Sequence, residues 1–266
     1  MVSGSIVPAI ANWLKERLRD AAMWPVNLIR DFPVRFGRLS RTLGRGVAGI
    51  VRFLPGAVRA WRRGEMALWL WQSAGGVTGW LHQFLAQSFD LLGGPEVAQF
   101  FMHLPTKTTP LSSDEIAVIS SILGTRGLRY GDVRVAEGGL FDLVFKYNGN
   151  LAFATWHTIN MPRTGGHTRA TLAIVVHELT HVYQYERVGS RYLGEAIYML
   201  IKTKRNCYDY GSADGLRAAT AAGKVFGDYN REQQAMIVQD YFTLREKGGD
   251  VAAYKPFVAH LRAGRL

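Results

Sequence analysis

Apolar residues recur at helical spacing in two places within the first third of the chain. Ile6, Ile10, Trp13, Leu14 and Leu18 fall on one side of a helix, with Lys15, Glu16, Arg19 and Asp20 on the other. Val47, Ile50, Val51 and Leu54 repeat the spacing, with Arg45, Arg52 and Arg59 interspersed. Pro25, Pro33 and Pro55 are expected to divide this region into short helices, because proline removes a helical donor and clashes with the preceding turn. Residues 66–89 contain no Asp, Glu, Lys or Arg, a run long enough to span a bilayer. Gln72, Ser73, His82, Gln83, Gln87 and Ser88 interrupt that run, and Gly75, Gly76 and Gly79 weaken its helix, so the pattern weighs against a span.

Beyond residue 103 the pattern changes. Residues 104–110 are polar, bounded by prolines and aperiodic, which marks a boundary between a mostly helical region at 1–105 and a second domain at 106–266. Ser113, Asp114 and Glu115 open a short helix through Ile116, Ile119, Ile122 and Leu123 that ends at Gly124. Residues 132–136 and 150–161 are rich in Val, Phe, Thr, Trp and Ile and read as strands. After Gly165 and Gly166, Thr168 is placed to cap a long helix running to about Val188 and stopping at Gly189. The second domain is therefore expected to be α+β: a small sheet, one long helix and further helices toward the C-terminus.

Composition narrows the classes. With 48% hydrophobic and 20% charged residues, the 266-residue chain can bury a core, which excludes wholesale disorder. One cysteine, Cys207, excludes an internal disulfide framework and a Cys-rich zinc module, so a metal site would be built from His and carboxylates. The net charge of +11 is uneven: residues 1–63 hold 12 Lys and Arg against 3 acids. Trp13, Trp24, Trp61, Trp69, Trp71 and Trp80 lie within the first 80 residues. Arginine with tryptophan suits an interfacial helix on anionic lipid, through residues 1–105. The competing reading is a helical subdomain packed on itself or on the second domain. No recognisable nucleic-acid motif supports a nucleic-acid partner, and none is expected. Residues 1–10 carry no basic residue ahead of their apolar stretch, the reverse of a secretory leader, so no cleavable signal peptide is expected.

Within the long helix stands His177-Glu178-Leu179-Thr180-His181. Such an HExxH arises by chance on the order of 0.01 times in a chain this long. Positions four apart share a helical face, so both imidazoles reach one ion, with Zn²⁺ the expected metal. Glu178 is placed to act as general base on a water at the ion's open position. Leu172, Ile174, Val175, Val176 and Val182 bury the helix, as a rigid site requires.

A catalytic zinc takes a third protein ligand. His260 is the one histidine after His181, and Gln184 stands where a metzincin would carry glycine. A downstream carboxylate is therefore expected, as in gluzincins. Glu186 is on the same helix, too close to fold back. Glu195 starts a plausible helix, and Asp209, Asp214 and Asp228 lie in loop-like sequence. Glu232 follows Asn230, whose partner three residues on is Gln233, a capping-box pattern that puts Glu232 in the first turn of a helix through Ala235, Ile237, Val238 and Tyr241. Glu232 is the leading candidate, with Glu195 and the aspartates as alternatives. Asp240, two turns on, is a candidate for supporting the ligands.

Residues 110–115 (Pro-Leu-Ser-Ser-Asp-Glu), 130–135 (Tyr-Gly-Asp-Val-Arg-Val), 152–162, 177–184 (His-Glu-Leu-Thr-His-Val-Tyr-Gln) and 230–241 resemble a family of bacterial HExxH domains. These are gluzincin-like zinc metallopeptidase domains found with type VI secretion and contractile injection systems, including the C-terminal domain of some spike proteins. The similarity covers about residues 110–244. It implies His177, His181 and Glu232 as ligands and Glu178 as base. It also implies a peptide or protein substrate, a toxin delivered to a target-cell periplasm or membrane, and a cognate immunity protein. By analogy with that fold, residues 154–158 would line the cleft as a strand edge that holds an extended peptide, with His157 either facing the cleft or simply half exposed. Tyr208, Tyr210 or His167 would stabilise the oxyanion. The alternative is a membrane-active protein whose N-terminal helices bind or insert, with the HExxH domain as a processing module or a purely structural zinc site.

Overall fold

Three prolines do not break the first helix. In the computed structural model, which describes residues 6–203 and 206–266, α1 (Ile6–Arg62) runs unbroken through Pro25, Pro33 and Pro55. Each proline frees the carbonyl four residues back, those of Ala21, Ile29 and Val51. All three residues are exposed, so water can satisfy what the helix cannot, and the expected division into short helices is corrected. The leader reading of residues 1–10 falls largely outside the described residues, as does the side chain of Ile6.

α1 turns at residues 63–65 into α2 (Met66–Leu91), which folds back along it, and α3 (Gly94–His103) packs against both. The two long helices interlock through aromatic rings. Gly46 admits the Trp80 indole, since a Cβ there would sit 2.6 Å from its nitrogen, and that N–H donates to the Thr42 carbonyl at 2.8 Å. Phe53 and Trp69 meet at 4.0 Å between ring centroids. No helix among the described residues is long and apolar enough to cross a membrane.

The N-terminal stripe faces the other way from its pattern. Ile10, Leu14 and Leu18 are exposed, whereas Arg17 is buried. Its guanidinium donates to the His103 carbonyl and to Thr108 Oγ1 and pairs with Asp20, so this turn of α1 docks through polar bonds rather than its apolar face. Farther along, Arg35 is 1% exposed and pairs with Glu96 and Asp31 while donating to the Asp90 carbonyl at 2.5 Å. Asp31 also binds Arg129 at 2.6 Å, and Asp90 accepts from the Ser190 backbone at 3.0 Å. These pairs tie the helical hairpin to the second half of the chain.

The stretch at 104–110 contains a strand, β1 (Thr108–Pro110), antiparallel to β2 (Arg134–Glu137). The single strand expected at 150–161 is a hairpin instead, β3 (Phe153–Thr155) and β4 (Thr158–Met161). Trp156 turns the chain with φ of 52°, a conformation unfavourable for a bulky residue. It is held there by its backbone N–H on Tyr192 Oη, its indole N–H on Ser190 Oγ, and the His157 N–H on Gln99 Oε1, interactions that local sequence does not reveal. β2 and β4 are parallel, giving a mixed sheet of order β1-β2-β4-β3 with β3 at one edge.

α4 (Ser113–Leu123) begins at a complete capping box between Ser112 and Glu115, and α5 (Asp142–Asn148) precedes β3. α6 (Leu172–Val188) starts after Thr171 rather than Thr168, without a side-chain capping bond, and ends at Gly189. α7 (Arg191–Thr203), α8 (Ser212–Ala221), α9 (Arg231–Glu246) and α10 (Lys255–Arg262) follow. With its small sheet and mostly helical content the fold is α+β. Val175, Val176, Leu179 and Val182 of α6 pack against Ile159 and Met161 of β4 and Ile237 and Val238 of α9, all at or near zero exposure. α6 is thus the axis of the core.

The charge cluster at Arg35 is the joint of the hairpin. Arg35→Ala should cost about 3–5 kcal/mol in chemical denaturation, because it strands buried carboxylates. Replacing Arg35 by Met and Glu96 by Leu together should recover most of that loss; a single-variant cost below about 1 kcal/mol would contradict the assignment.

Candidate metal centre

The pattern of α6 places its polar residues inside. His177, Glu178 and His181 are all buried, on a helix that is buried continuously from Val175 to Tyr185. α9 crosses it, and its start is fixed by a reciprocal cap: Asn230 Oδ1 accepts from the Gln233 N–H at 2.9 Å while the Asn230 N–H donates to Gln233 Oε1 at 3.1 Å. That cap sets Glu232 in the first turn of α9.

The three side chains converge. Nε2 of His177 lies 3.4 Å from Oε2 of Glu232, and Nε2 of His181 lies 3.3 Å from the same oxygen. One ligand atom from each lies within 4.8 Å of the others. A tetrahedral zinc with bonds of about 2.0–2.1 Å separates its ligands by roughly 3.3–3.4 Å, so the two short edges have the spacing the ion requires. Two imidazoles and one carboxylate are also the donor set of an open zinc site, and the residues fit the metal. Two buried atoms here have no hydrogen-bond partner: His177 Nδ1 and Glu178 Oε2. Unsatisfied buried polar atoms are rare in folded proteins and concentrate where a ligand or reaction uses them.

A relay of amides orients His181. Gln234 Nε2 donates to the Phe226 and Tyr229 carbonyls, which leaves its Oε1 to accept from Gln184 Nε2 at 3.0 Å. Gln184 Nε2 also donates to the Arg231 carbonyl, so its Oε1 must accept, and the group facing it at 2.8 Å is His181 Nδ1. His181 therefore carries a proton on Nδ1, which leaves Nε2 as the ring atom that faces Glu232. Neither Gln184 nor Gln234 emerges from the sequence as a functional residue. The clue available there was the spacing of Gln184, one turn after His181.

Electrostatics follow from burial and proximity. Burial opposes charge on His181, but the Glu232 carboxylate outweighs it and lifts the imidazole pKa to about 9. Burial would raise Glu232, yet His181 and His177 hold it well below the usual carboxylate range. Glu178 goes the other way, with burial raising it against the pull of the two histidines. One further contact restrains it, a hydrogen bond from the Ala154 backbone N–H on β3.

The rival carboxylates are engaged elsewhere. Glu195 binds Arg191 and accepts from Arg231 Nε at 2.8 Å. Glu186 accepts from Arg129, Asp214 pairs with Arg217, Asp209 accepts from the Gly211 N–H, and Asp228 from the Val225 N–H. Asp240 does not reach the ligands; it accepts from Tyr210 Oη at 2.5 Å, which also meets Tyr254. Tyr210 is committed to that pair, and the Tyr208 ring lies 6.3 Å from that of His177 between centroids. Burial lowers the His167 pKa, and the nearby His177 adds to it. His157 is buried and bonded to Glu186 and Arg129, and it does not join the cluster.

The chain is similar to the type VI secretion system spike protein VgrG2b of Pseudomonas aeruginosa, with 27% identity over 184 residues. The match takes in 65% of this chain and 16% of the length of that relative, so the chain spans a small part of it. No family model matches the chain, and no solved structure does.

The amide relay carries a test. Gln184→Leu frees the His181 ring and its tautomer, and should weaken zinc binding about 10–100-fold in competition with a chromophoric chelator. Unchanged affinity in a folded variant would mean that the relay does not orient the ligand.

Proposed function

We propose that the chain is a zinc-dependent metallopeptidase acting as a secretion-associated effector. The observation that carries this reading is the unpartnered, buried Oε2 of Glu178, beside two imidazoles and a carboxylate that converge on one point. A structural zinc is closed by four ligands and has no use for an idle carboxylate next to it. Three ligand positions with a base alongside match a hydrolytic site instead, and this grouping is the one found among the described residues.

Zinc bound there supplies Lewis acidity, which polarises a carbonyl and lowers the pKa of water. His177, His181 and Glu232 hold it, with His181 pre-oriented by Gln184. Glu178 takes the proton of the attacking water and passes it to the leaving amine. The Ala154 N–H steadies the carboxylate. β3, at the edge of the sheet, is the element along which an extended peptide would lie. Tyr208, whose ring lies 6.3 Å from that of His177, and His167, which lies within electrostatic reach of it, are the candidate donors to the oxyanion.

The partial similarity to a type VI secretion spike protein supports a role tied to that machinery. Delivery to a target-cell periplasm or membrane, a protein substrate there and a cognate immunity protein belong to the same proposal.

Substitutions separate the roles. Glu178→Gln should keep about one zinc per chain and lose peptidase activity by a factor on the order of 10² or more. Glu232→Gln should bind zinc more weakly and regain part of its activity in excess metal. Glu195→Gln should leave zinc binding intact, because that side chain serves Arg231. Full activity in Glu178→Gln, or in the toxicity it causes on expression in bacterial periplasm, would sink the hydrolase reading.

A further inference from the structure

The hairpin of α1 and α2 exposes an apolar surface that nothing in the described chain covers. Leu18, Ile29, Phe36, Val47, Leu54 and Trp61 are each between 52% and 77% exposed. They are separated by 11, 7, 11, 7 and 7 residues, which is three, two, three, two and two helical turns. Over these 43 residues the repeat is about 3.6 per turn, so on regular helix geometry the six side chains share one face along about 65 Å of α1. A coiled-coil seam would instead repeat every 3.5 residues and wrap around its partner. A straight ridge fits a flat occupant.

The charges near it narrow that occupant. The arginines closest to the base of the hairpin, Arg17, Arg30, Arg35 and Arg38, each pair with an internal carboxylate. Beyond them Arg41, Arg45, Arg52, Arg59, Arg62 and Arg63 form no ion pair among the described residues, and between residues 40 and 89 the one acid is Glu65. A helix is about 10–12 Å across, so arginines anywhere around it stay within roughly a Debye length of a surface the ridge touches. A second copy of the chain would bring the same unpaired positive charges together. At the hairpin's turn Trp61 and Trp71 are 77% and 81% exposed, as suits indoles at headgroup depth. The helices are too short of apolar residues to cross a bilayer, which leaves lying on it.

We infer that the α1–α2 hairpin is a docking surface for an anionic membrane, with the α1 ridge set into the headgroup boundary and the distal arginines held by lipid charge. This stands apart from the hydrolytic reading, since it uses no residue of the metal centre.

The test is flotation of the full chain with vesicles of phosphatidylglycerol in phosphatidylcholine and with vesicles of phosphatidylcholine alone. The wild type should float with the anionic vesicles, and less so as salt rises. Arg52→Gln, Arg59→Gln and Arg62→Gln combined should lower that partitioning by roughly 100-fold. Ile29→Gln, Val47→Gln and Leu54→Gln combined, all at exposed positions, should abolish it while circular dichroism stays unchanged. Failure to float with either vesicle overturns the proposal. So does equal flotation with both, which removes the lipid charge from the argument. A dimer that the ridge variant converts to monomer would also overturn it, by giving the ridge to a second copy.

Discussion

The Glu232 carboxylate lies 3.3–3.4 Å from the imidazoles of both His177 and His181 in a place almost closed to water, and the surrounding fold is arranged to hold them there. Charges buried so deeply are costly unless paired, coordinated or hydrogen-bonded. The apolar flanks of α6 fix its position against β4 and α9, the Asn230 cap fixes where α9 begins, and the two glutamines fix the ring of His181. Each of these is a structural feature with a consequence for the site. Glu178 Oε2 and His177 Nδ1 are left without partners, and unsatisfied polar atoms at such a depth point from a packed core toward chemistry.

The same logic of satisfied and unsatisfied charge divides the N-terminal region. Near the second half of the chain, arginines are internal struts: Arg17 to His103 and Thr108, Arg30 to Asp132, Arg35 to Glu96. Away from it they are unpaired and the apolar residues beside them are bare. One continuous helix therefore serves as a scaffold at one end and an unpartnered surface at the other. The joint between the two parts also borders the centre: Asp90 of α2 holds Ser190, and Ser190 holds the Trp156 turn that leads from β3, the strand touching Glu178.

How much of this could be read in the sequence depended on how local the cause was. The HExxH helix is local, since two imidazoles four residues apart on an apolar run share one face by helix geometry alone. The position of Glu232 was legible for the same reason, through the Asn230 and Gln233 cap. Features with distant causes were not legible. Proline signals a helix break, but α1 is held by neighbours far along the chain, and the carbonyls its prolines free belong to exposed residues. The turn at Trp156 contains neither glycine nor asparagine and depends on Tyr192, Ser190 and Gln99. The stripe at Ile10, Leu14 and Leu18 looked like a buried face, yet specific bonds from Arg17 decided which side packs. The pairing of Gln184 with Gln234 joins residues 50 apart, and no period along the chain announces it.

The central claim is that two imidazole nitrogens and the Glu232 carboxylate form the protein part of a zinc site. X-ray absorption at the zinc edge of the metal-loaded full-length protein reads that shell directly. The account requires two imidazoles and oxygen neighbours at about 2.0–2.2 Å, with the histidine signal lost in a His177→Ala, His181→Ala double variant. Cys207 is buried near Glu232, close enough for the carboxylate to influence its thiol. A sulfur neighbour at about 2.3 Å, or zinc held unchanged by the double variant, would contradict the account.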